Sequence, residues 1–265
     1  MTTSLTILGC GSSGGVPRVA VGWGNCDPAE PRNRRRRCSV LVRKAGERGE
    51  TRVLVDAGPD LREQLLSEDV DDLSGVLFTH EHADHCHGVD DLRPLFIRNR
   101  RRVDVWIDPH TAPTLRNRFD YLFESAPGSD YPPILTEHRM SHGNKIHVDG
   151  LGGMVEAIPF RLVHGNVDAH GFRFGDVAYT PDVNAIPEES LDFLRDLDVW
   201  IIDALRIAPH PSHFTLAEAL GWIEQMKPKR AVLTNLHTDL DYRALEAQLP
   251  AHIVPAYDGL TISYG

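Results

Sequence analysis

The chain has 265 residues, 41% of them hydrophobic, which is enough for a sizeable core. No apolar run approaches the roughly 20 residues a membrane span needs. Acidic residues outnumber basic ones 38 to 28, and the net charge of −10 argues against a general binder of nucleic acid, which needs many Lys and Arg contacts to phosphate.

Ser4–Gly9 reads as a buried first strand, too short and without the basic leader of a signal sequence. It runs into a glycine-rich loop, Gly9 to Pro17, that lacks the Gly-Lys-Ser/Thr of a P-loop and reads as a turn or a close backbone approach. Basic residues cluster in Arg32–Arg37 and again in Arg98–Arg102. The second cluster reads as a solvated loop; the first lies in a Gly/Pro-rich stretch, and Arg34, Arg35 and Arg36 are candidates to hold a substrate phosphate. Ser39–Val42 and Arg52–Asp56 read as strands, joined by a polar loop over 44–50. Pro59–Leu66 reads as a short helix, and Gly75–Phe78 as a buried strand that delivers Thr79-His80-Glu81-His82-Ala83-Asp84-His85 at its end.

A helix is expected from about His87, a strand over Val103–Ile107 and a helix over Pro109–Phe119. Asp120–Lys145, with three prolines and two glycines, reads as a long irregular segment and a candidate lid. Met154–Val163 reads as a strand ending at His164, and Gly171–Phe174 with Val177–Tyr179 as a hairpin around Gly175-Asp176. Pro187–Arg195 reads as helical and Val199–Asp203 as a buried strand. Thr215-Leu216-Ala217-Glu218 is a capping box opening a helix to about Lys227. Ala231–Thr234 is the next strand, Tyr242–Leu249 a helix, and two short strands close the chain. With no low-complexity linker and no short repeat, one domain over 1–265 is expected, built of two sheets flanked by helices.

The four cysteines, Cys10, Cys26, Cys38 and Cys86, form no C-x-x-C pair, so neither a disulfide framework nor a cysteine zinc module is expected, and a reducing cytoplasm is the natural setting. Histidine carries the chemistry. His80-x-His82-x-Asp84-His85 places three imidazoles and a carboxylate within six residues after a buried strand, a donor set suited to Zn, with Mn or Fe admitted by the carboxylate. Further ligands are expected from other strand ends: His164, Asp182 and His237. Asp56 also ends a strand and is expected to orient the histidine loop by hydrogen bonds. His213, just before a helix, is a candidate general acid, with His210 a weaker claimant. His87, His110, His138, His142, His147 and His252 have no support beyond their residue type, and neither His170 nor Asp203 is assigned a catalytic role.

These residues resemble the metallo-β-lactamase superfamily, which carries H-x-H-x-D-H followed by a distant His, a bridging Asp and a last His. The resemblance implies an αββα sandwich of two mixed β-sheets flanked by helices. It also implies two divalent ions, Zn or Mn: His80, His82 and His164 on one, Asp84, His85 and His237 on the other, and Asp182 between them. A narrower resemblance, carried by the glycine-rich loop ending in Val16-Pro17, the arginine run into Cys38-Ser39, and His213, is to the phosphoribosyl cyclic phosphodiesterase family of the carbon–phosphorus lyase pathway. It implies hydrolysis of a small cyclic phosphodiester with His213 assisting, so that His213 and Asp84 count as catalytic. Two features depart from that family. Gly22–Ser39 holds only Cys26 and Cys38, where the family has a cysteine cluster for structural zinc. Leu233-Thr234 is followed by Asn235, where the family has its last metal histidine, and the nearest histidine is His237.

The expected partner is a small phosphorylated substrate, with neither membrane nor nucleic acid, and a homodimer is compatible with the sequence. Rival expectations are a tRNA-maturation endonuclease, against which the acidic charge and the non-basic 120–145 segment count; a thioester or lactone hydrolase, which would have little use for the arginines; and a non-catalytic cofactor carrier, which would have little reason to keep a full ligand set.

Overall fold

The structure, a computed structural model, describes residues 2–265. Two seven-stranded sheets are stacked between helices. The first contains β1 (Thr3–Gly9), β2 (Ser39–Gly46), β3 (Gly49–Val55), β4 (Gly75–Leu77), β5 (Val103–Ile107), β6 (Leu135–Arg139) and β14 (Thr261–Tyr264), in the order β14-β1-β2-β3-β4-β5-β6. The second contains β7 (Ile146–Val148), β8 (Val155–His164), β9 (Val167–Phe174), β10 (Val177–Thr180), β11 (Val199–Asp203), β12 (Arg230–Thr234) and β13 (Ile253–Pro255), in the order β13-β12-β11-β10-β9-β8-β7. Helices α1 (Leu61–Ser67), α2 (Ala83–Cys86), α3 (Arg93–Asn99) and α4 (Thr111–Phe123) follow strands of the first sheet; α5 (Leu216–Met226) and α6 (Tyr242–Gln248) follow strands of the second. This is the αββα arrangement expected from the sequence. No helix among the described residues is long and apolar enough to cross a membrane.

The period of two in each strand divides the core. In β11 every residue is buried: Val199 and Ile201 face the apolar layer between the sheets, while Trp200 and Ile202 face the layer under α5 and α6. Trp200 satisfies its indole N–H on Thr180 Oγ1 at 3.0 Å. A third layer, with Leu41, Leu54, Val76 and Phe78, packs the outer face of the first sheet against α1, α3 and α4.

Strand direction places the site. β3, β4, β5 and β6 are mutually parallel, and β1 runs the same way because two antiparallel pairings separate it from β3. In the second sheet β10, β11 and β12 are parallel, and β8 shares their direction through β9. The C-terminal ends of β1, β3, β4, β8, β10, β11 and β12 therefore emerge at corresponding edges, where ligand sites of α/β sheets gather.

Three sequence expectations are refined. The 44–50 loop is largely strand, with β2 and β3 pairing out to Gly46 and Gly49. Asp84 and His85 lie in the short helix α2, and the helix expected from about His87 follows as a tight helical turn over Val89–Leu92 that runs into α3. The 120–145 segment is not one irregular lid: it holds the end of α4 and the edge strand β6, which pairs with β5 from Leu135 to Arg139. The capping box forms as expected, with Thr215 accepting from the Glu218 backbone and Glu218 from that of Thr215.

Candidate metal centre

The turn after β4 puts the histidine motif against the end of β3. Gly58 makes this possible, since a Cβ there would lie 2.0 Å from the Asp84 carbonyl oxygen. Asp56, fully buried with φ +66, organises the turn. Its Oδ1 accepts from the Thr79 backbone at 2.8 Å, and its Oδ2 accepts from Thr79 Oγ1 at 2.8 Å and from His85 Nδ1 at 2.7 Å. Burial pushes the Asp56 carboxyl up, against the pull of His85 and Thr79. With its proton given to Asp56, Thr79 Oγ1 accepts from His80 Nδ1 at 3.0 Å. Both bonds fix tautomers that turn His80 Nε2 and His85 Nε2 inward, and both nitrogens are buried without a hydrogen-bond partner.

The second sheet supplies the facing groups. His164 ends β8 and donates from Nδ1 to the Ser212 carbonyl at 2.6 Å, which aims Nε2 to within 3.2 Å of His82 Nδ1. Asp182 follows β10 and divides its carboxylate: Oδ1 lies 3.2 Å from His85 Nε2, and Oδ2 lies 3.6 Å from His164 Nε2. Asp84 Oδ2 reaches within 3.4 Å of His85 Nε2. Three overlapping groups of ligand atoms result, each within 4.8 Å: His80/His82/His164, His80/His85/Asp182 and His164/Asp182/His213. Orphaned imidazole nitrogens converging on shared carboxylates fit divalent metal ions.

The electrostatics agree. Burial holds His80 well below the usual imidazole range and brings His164 down to about 4, so both offer lone pairs. Burial pushes Asp182 up, but His85 and the neighbouring histidines outweigh it and hold the carboxylate ionised. His85 goes the other way: burial lowers it, while Asp182, Asp56 and Asp84 raise it further.

His213 joins this cluster. Its Nδ1 donates to Asp203 Oδ2 at 2.8 Å, leaving Nε2 3.9 Å from Asp182 Oδ2 and its ring 4.6 Å from that of His164. Burial alone would lower His213, but the bond to Asp203 and the charge of Asp182 hold it above the usual range. Asp203, buried at the end of β11, is pushed up to about 7 by desolvation. Sequence reading passed over Asp203, although a carboxylate ending a buried strand is the signal that singled out Asp56. His210 sits beside His213, ring to ring at 4.9 Å, and is turned toward Ser212.

His237 belongs to none of the three groups. Its Nδ1 bonds Asp239 at 3.0 Å and its Nε2 accepts from Arg18 at 2.7 Å. At the strand exit Asn235 is buried, with its amide nitrogen 3.0 Å from the Pro181 carbonyl and 3.3 Å from Asp182 Oδ1.

The arginine run also differs from expectation. Arg35 is buried and donates to the carbonyls of Leu240 at 2.7 Å and His237 at 3.2 Å, so it braces a loop. Arg36 pairs with Asp258, and Arg34 is exposed near Trp23. Arg34 and Arg36 border a cleft of about 630 Å³ with Arg32, Glu63 and Tyr257, none of them among the clustered ligands. A second cleft, of about 450 Å³, flanks the ligand loops through Glu81 and Gly165, and is also lined by His110, Arg161 and Asn166.

Comparison with known proteins agrees with this geometry. Residues 51–235 match the family model described as a beta-lactamase superfamily domain. A solved structure described as a new diphosphatase from the PhnP family superposes with a TM-score of 0.88 at 36% identity, covering 100% of this chain and 98% of that one. Zn(2+)-bound PqqB from Methylobacterium extorquens gives a TM-score of 0.75 at 16% identity over 98% and 99% of the chains, which speaks for the fold alone. The octanoyltransferase of Porphyromonas gingivalis is 35% identical over 260 residues, 96% of this chain but only 50% of that protein, so the chain spans about half the length of this curated relative. The ligand clusters, the paired sheets and the family match together make this chain a member of the metallo-β-lactamase superfamily, with a hydrolase fold resembling that of the PhnP family.

Proposed function

We propose that the protein is a phosphodiesterase with two metal ions, Zn or Mn, acting on a small substrate such as a phosphoribosyl cyclic phosphate or a diphosphate-linked ester. The observation that carries this reading is His213, fixed by Asp203 through Nδ1 and presenting Nε2 beside the metal cluster. His80, His82 and His164 would hold one ion, and Asp84 and His85 the other, with Asp182 shared. Such ions supply Lewis-acid charge and an activated water.

The chain's own residues do the rest. Asp56 and Thr79 keep the histidine nitrogens in the tautomers that ligation needs. His213 donates a proton from Nε2 to the departing oxygen, and Asp203 stabilises the cation before that transfer. Phosphate binding passes from Arg34–Arg36 to Arg18, which has no carboxylate partner among the described residues and is steadied by His237 and Asp239. Arg18 reaches the cluster's neighbourhood only through His237, two residues beyond Asn235, which contacts both Asp182 and His213.

The likeness to a diphosphatase supports action at phosphorus. Acyl transfer through a thiol of this chain is disfavoured, because all four of its cysteines are buried. The test is hydrolysis of bis(p-nitrophenyl) phosphate, a ribose cyclic phosphate and a diphosphate-linked dinucleotide by stripped protein reloaded with Zn or Mn. Metal-restored cleavage of at least one is expected. Metal binding with no cleavage of any of the three rejects the assignment.

A further inference from the structure

The layer between the sheets turns polar where it opens beside the metal cluster. On β8 and β9, Ala157 and Phe172 face that apolar layer. The period of two puts Arg161 and Val163 of β8, with Asp168 and His170 of β9, on the same face nearer the open edge, where Arg161 pairs with His170 and Val163 with Asp168. Glu81 of the histidine loop and His110 of the turn after β5 come from the first sheet's side. Between them lies the cleft of about 450 Å³, with the exposed Asn166 on its rim.

The charges of the cleft exclude an anion. Its one arginine, Arg161, is held by Asp168 at 2.9 Å and by Glu189 at 3.2 Å. Glu81 accepts from Thr111 Oγ1 through Oε2 at 3.3 Å, which leaves Oε1 free. No aromatic ring stands among the described lining residues to hold a quaternary cation. The wall behind is also unsatisfied. Asp108 is 3% exposed; its Oδ1 accepts from the backbone N–H groups of His110 and Thr111, and its Oδ2 has no partner. His170 Nδ1 is buried and likewise unpartnered. Such a mixture of donors and acceptors suits hydroxyl groups, each of which gives one hydrogen bond and accepts others.

We infer that this cleft is a sugar subsite. It seats the neutral polyhydroxyl part of the substrate against Glu81, His110 and Asn166 while the phosphodiester lies at the metal cluster, and its acidic walls turn any second phosphate away. Sugar binding rests on the cleft alone; the attachment of that sugar to a phosphodiester rests on the proposed activity.

Saturation-transfer NMR on the full-length, Zn-loaded protein, with methyl β-D-ribofuranoside as the probe, reads sugar binding without catalysis. Transfer to the sugar ring protons is expected, and none to choline. The double variant His110→Ala/Asn166→Ala, altered only at exposed positions, is expected to weaken riboside binding roughly tenfold or more, as loss of two hydrogen bonds predicts. Glu81→Gln keeps an oxygen for Thr111, turns the free acceptor into a donor, and is expected to lower kcat/KM for a ribose cyclic phosphate relative to bis(p-nitrophenyl) phosphate roughly 3–10-fold. No transfer to the riboside, or transfer that the double variant leaves untouched, overturns the subsite, whether or not a phosphodiester is cleaved. Transfer to choline in place of the riboside overturns it as well. Riboside binding that the double variant weakens, in a protein that cleaves no phosphodiester, upholds the subsite and rejects the phosphodiesterase reading.

Discussion

Replacing Asp56 by Asn exchanges one atom in a fully buried hydrogen-bond network and should weaken metal binding without unfolding the protein. The carboxylate accepts three hydrogen bonds, from the Thr79 backbone, Thr79 Oγ1 and His85 Nδ1, all between 2.7 and 2.8 Å. Asn tolerates the positive φ at this position, so the backbone has no reason to move. If the new amide nitrogen replaces Oδ2, it donates to His85 Nδ1, and a neutral His85 must carry its proton on Nε2, the atom facing Asp182. That tautomer cannot ligate. If the amide flips, its nitrogen meets the Thr79 backbone N–H, and buried donors go unpaired at about 1–3 kcal/mol. Either arrangement weakens metal binding, and at 1.4 kcal/mol per decade the expected loss is roughly 10–100-fold. The assay is metal affinity by competition with a chromophoric chelator, with circular dichroism confirming that the variant is folded. A folded Asp56→Asn protein with unchanged affinity at both positions would refute the tautomer argument.

Three other outcomes are expected. His213→Ala lowers kcat roughly 10²–10⁴-fold with metal content unchanged; lost metal would make His213 a ligand instead. Arg18→Ala raises KM roughly 10–100-fold for a substrate with a second phosphate, as loss of one hydrogen bond to a charged group predicts, yet leaves KM for bis(p-nitrophenyl) phosphate unaltered. A parallel effect on both substrates would remove Arg18 from substrate recognition. Burial raises all four thiols, Cys86 to about 11, so at pH 8 the native protein should react negligibly with a thiol reagent over minutes, and all four should react after denaturation. A rapidly labelled native cysteine contradicts the packing described.

The strands that deliver the site were legible because they are buried on both faces and read as continuous apolar runs, as at β4 and β11. The histidine motif was legible because four donors follow one such run. β6 was not. Leu135–Arg139 is a polar edge strand whose identity depends on pairing with β5 and on His138 stacking against Trp106, ring to ring at 4.8 Å, with Nε2 on Asp104. His237 stands outside the clustered donors. Asn235 adopts φ +61, and, two residues on, His237 bonds Arg18 through Nε2 and Asp239 through Nδ1, contacts that residue order alone does not reveal. The arginine run hid an alternation, since an extended segment sends Arg35 inward while Arg34 is exposed and Arg36 half-exposed, and composition cannot reveal which residue takes which side.

The clustered donors come from two parts of the chain: His80, His82 and His85 follow the first sheet's β4, while His164, Asp182 and His213 come from the second half. An ion seated among them would add one more tie between the layers, beside the apolar packing and polar links such as that from the His170 backbone N–H to the Thr79 carbonyl. Its hold on the folded state grows with free metal, reaching about 4 kcal/mol at a thousand times the dissociation constant. Scarcity of metal would then cost durability as well as chemistry, since both draw on the same few atoms.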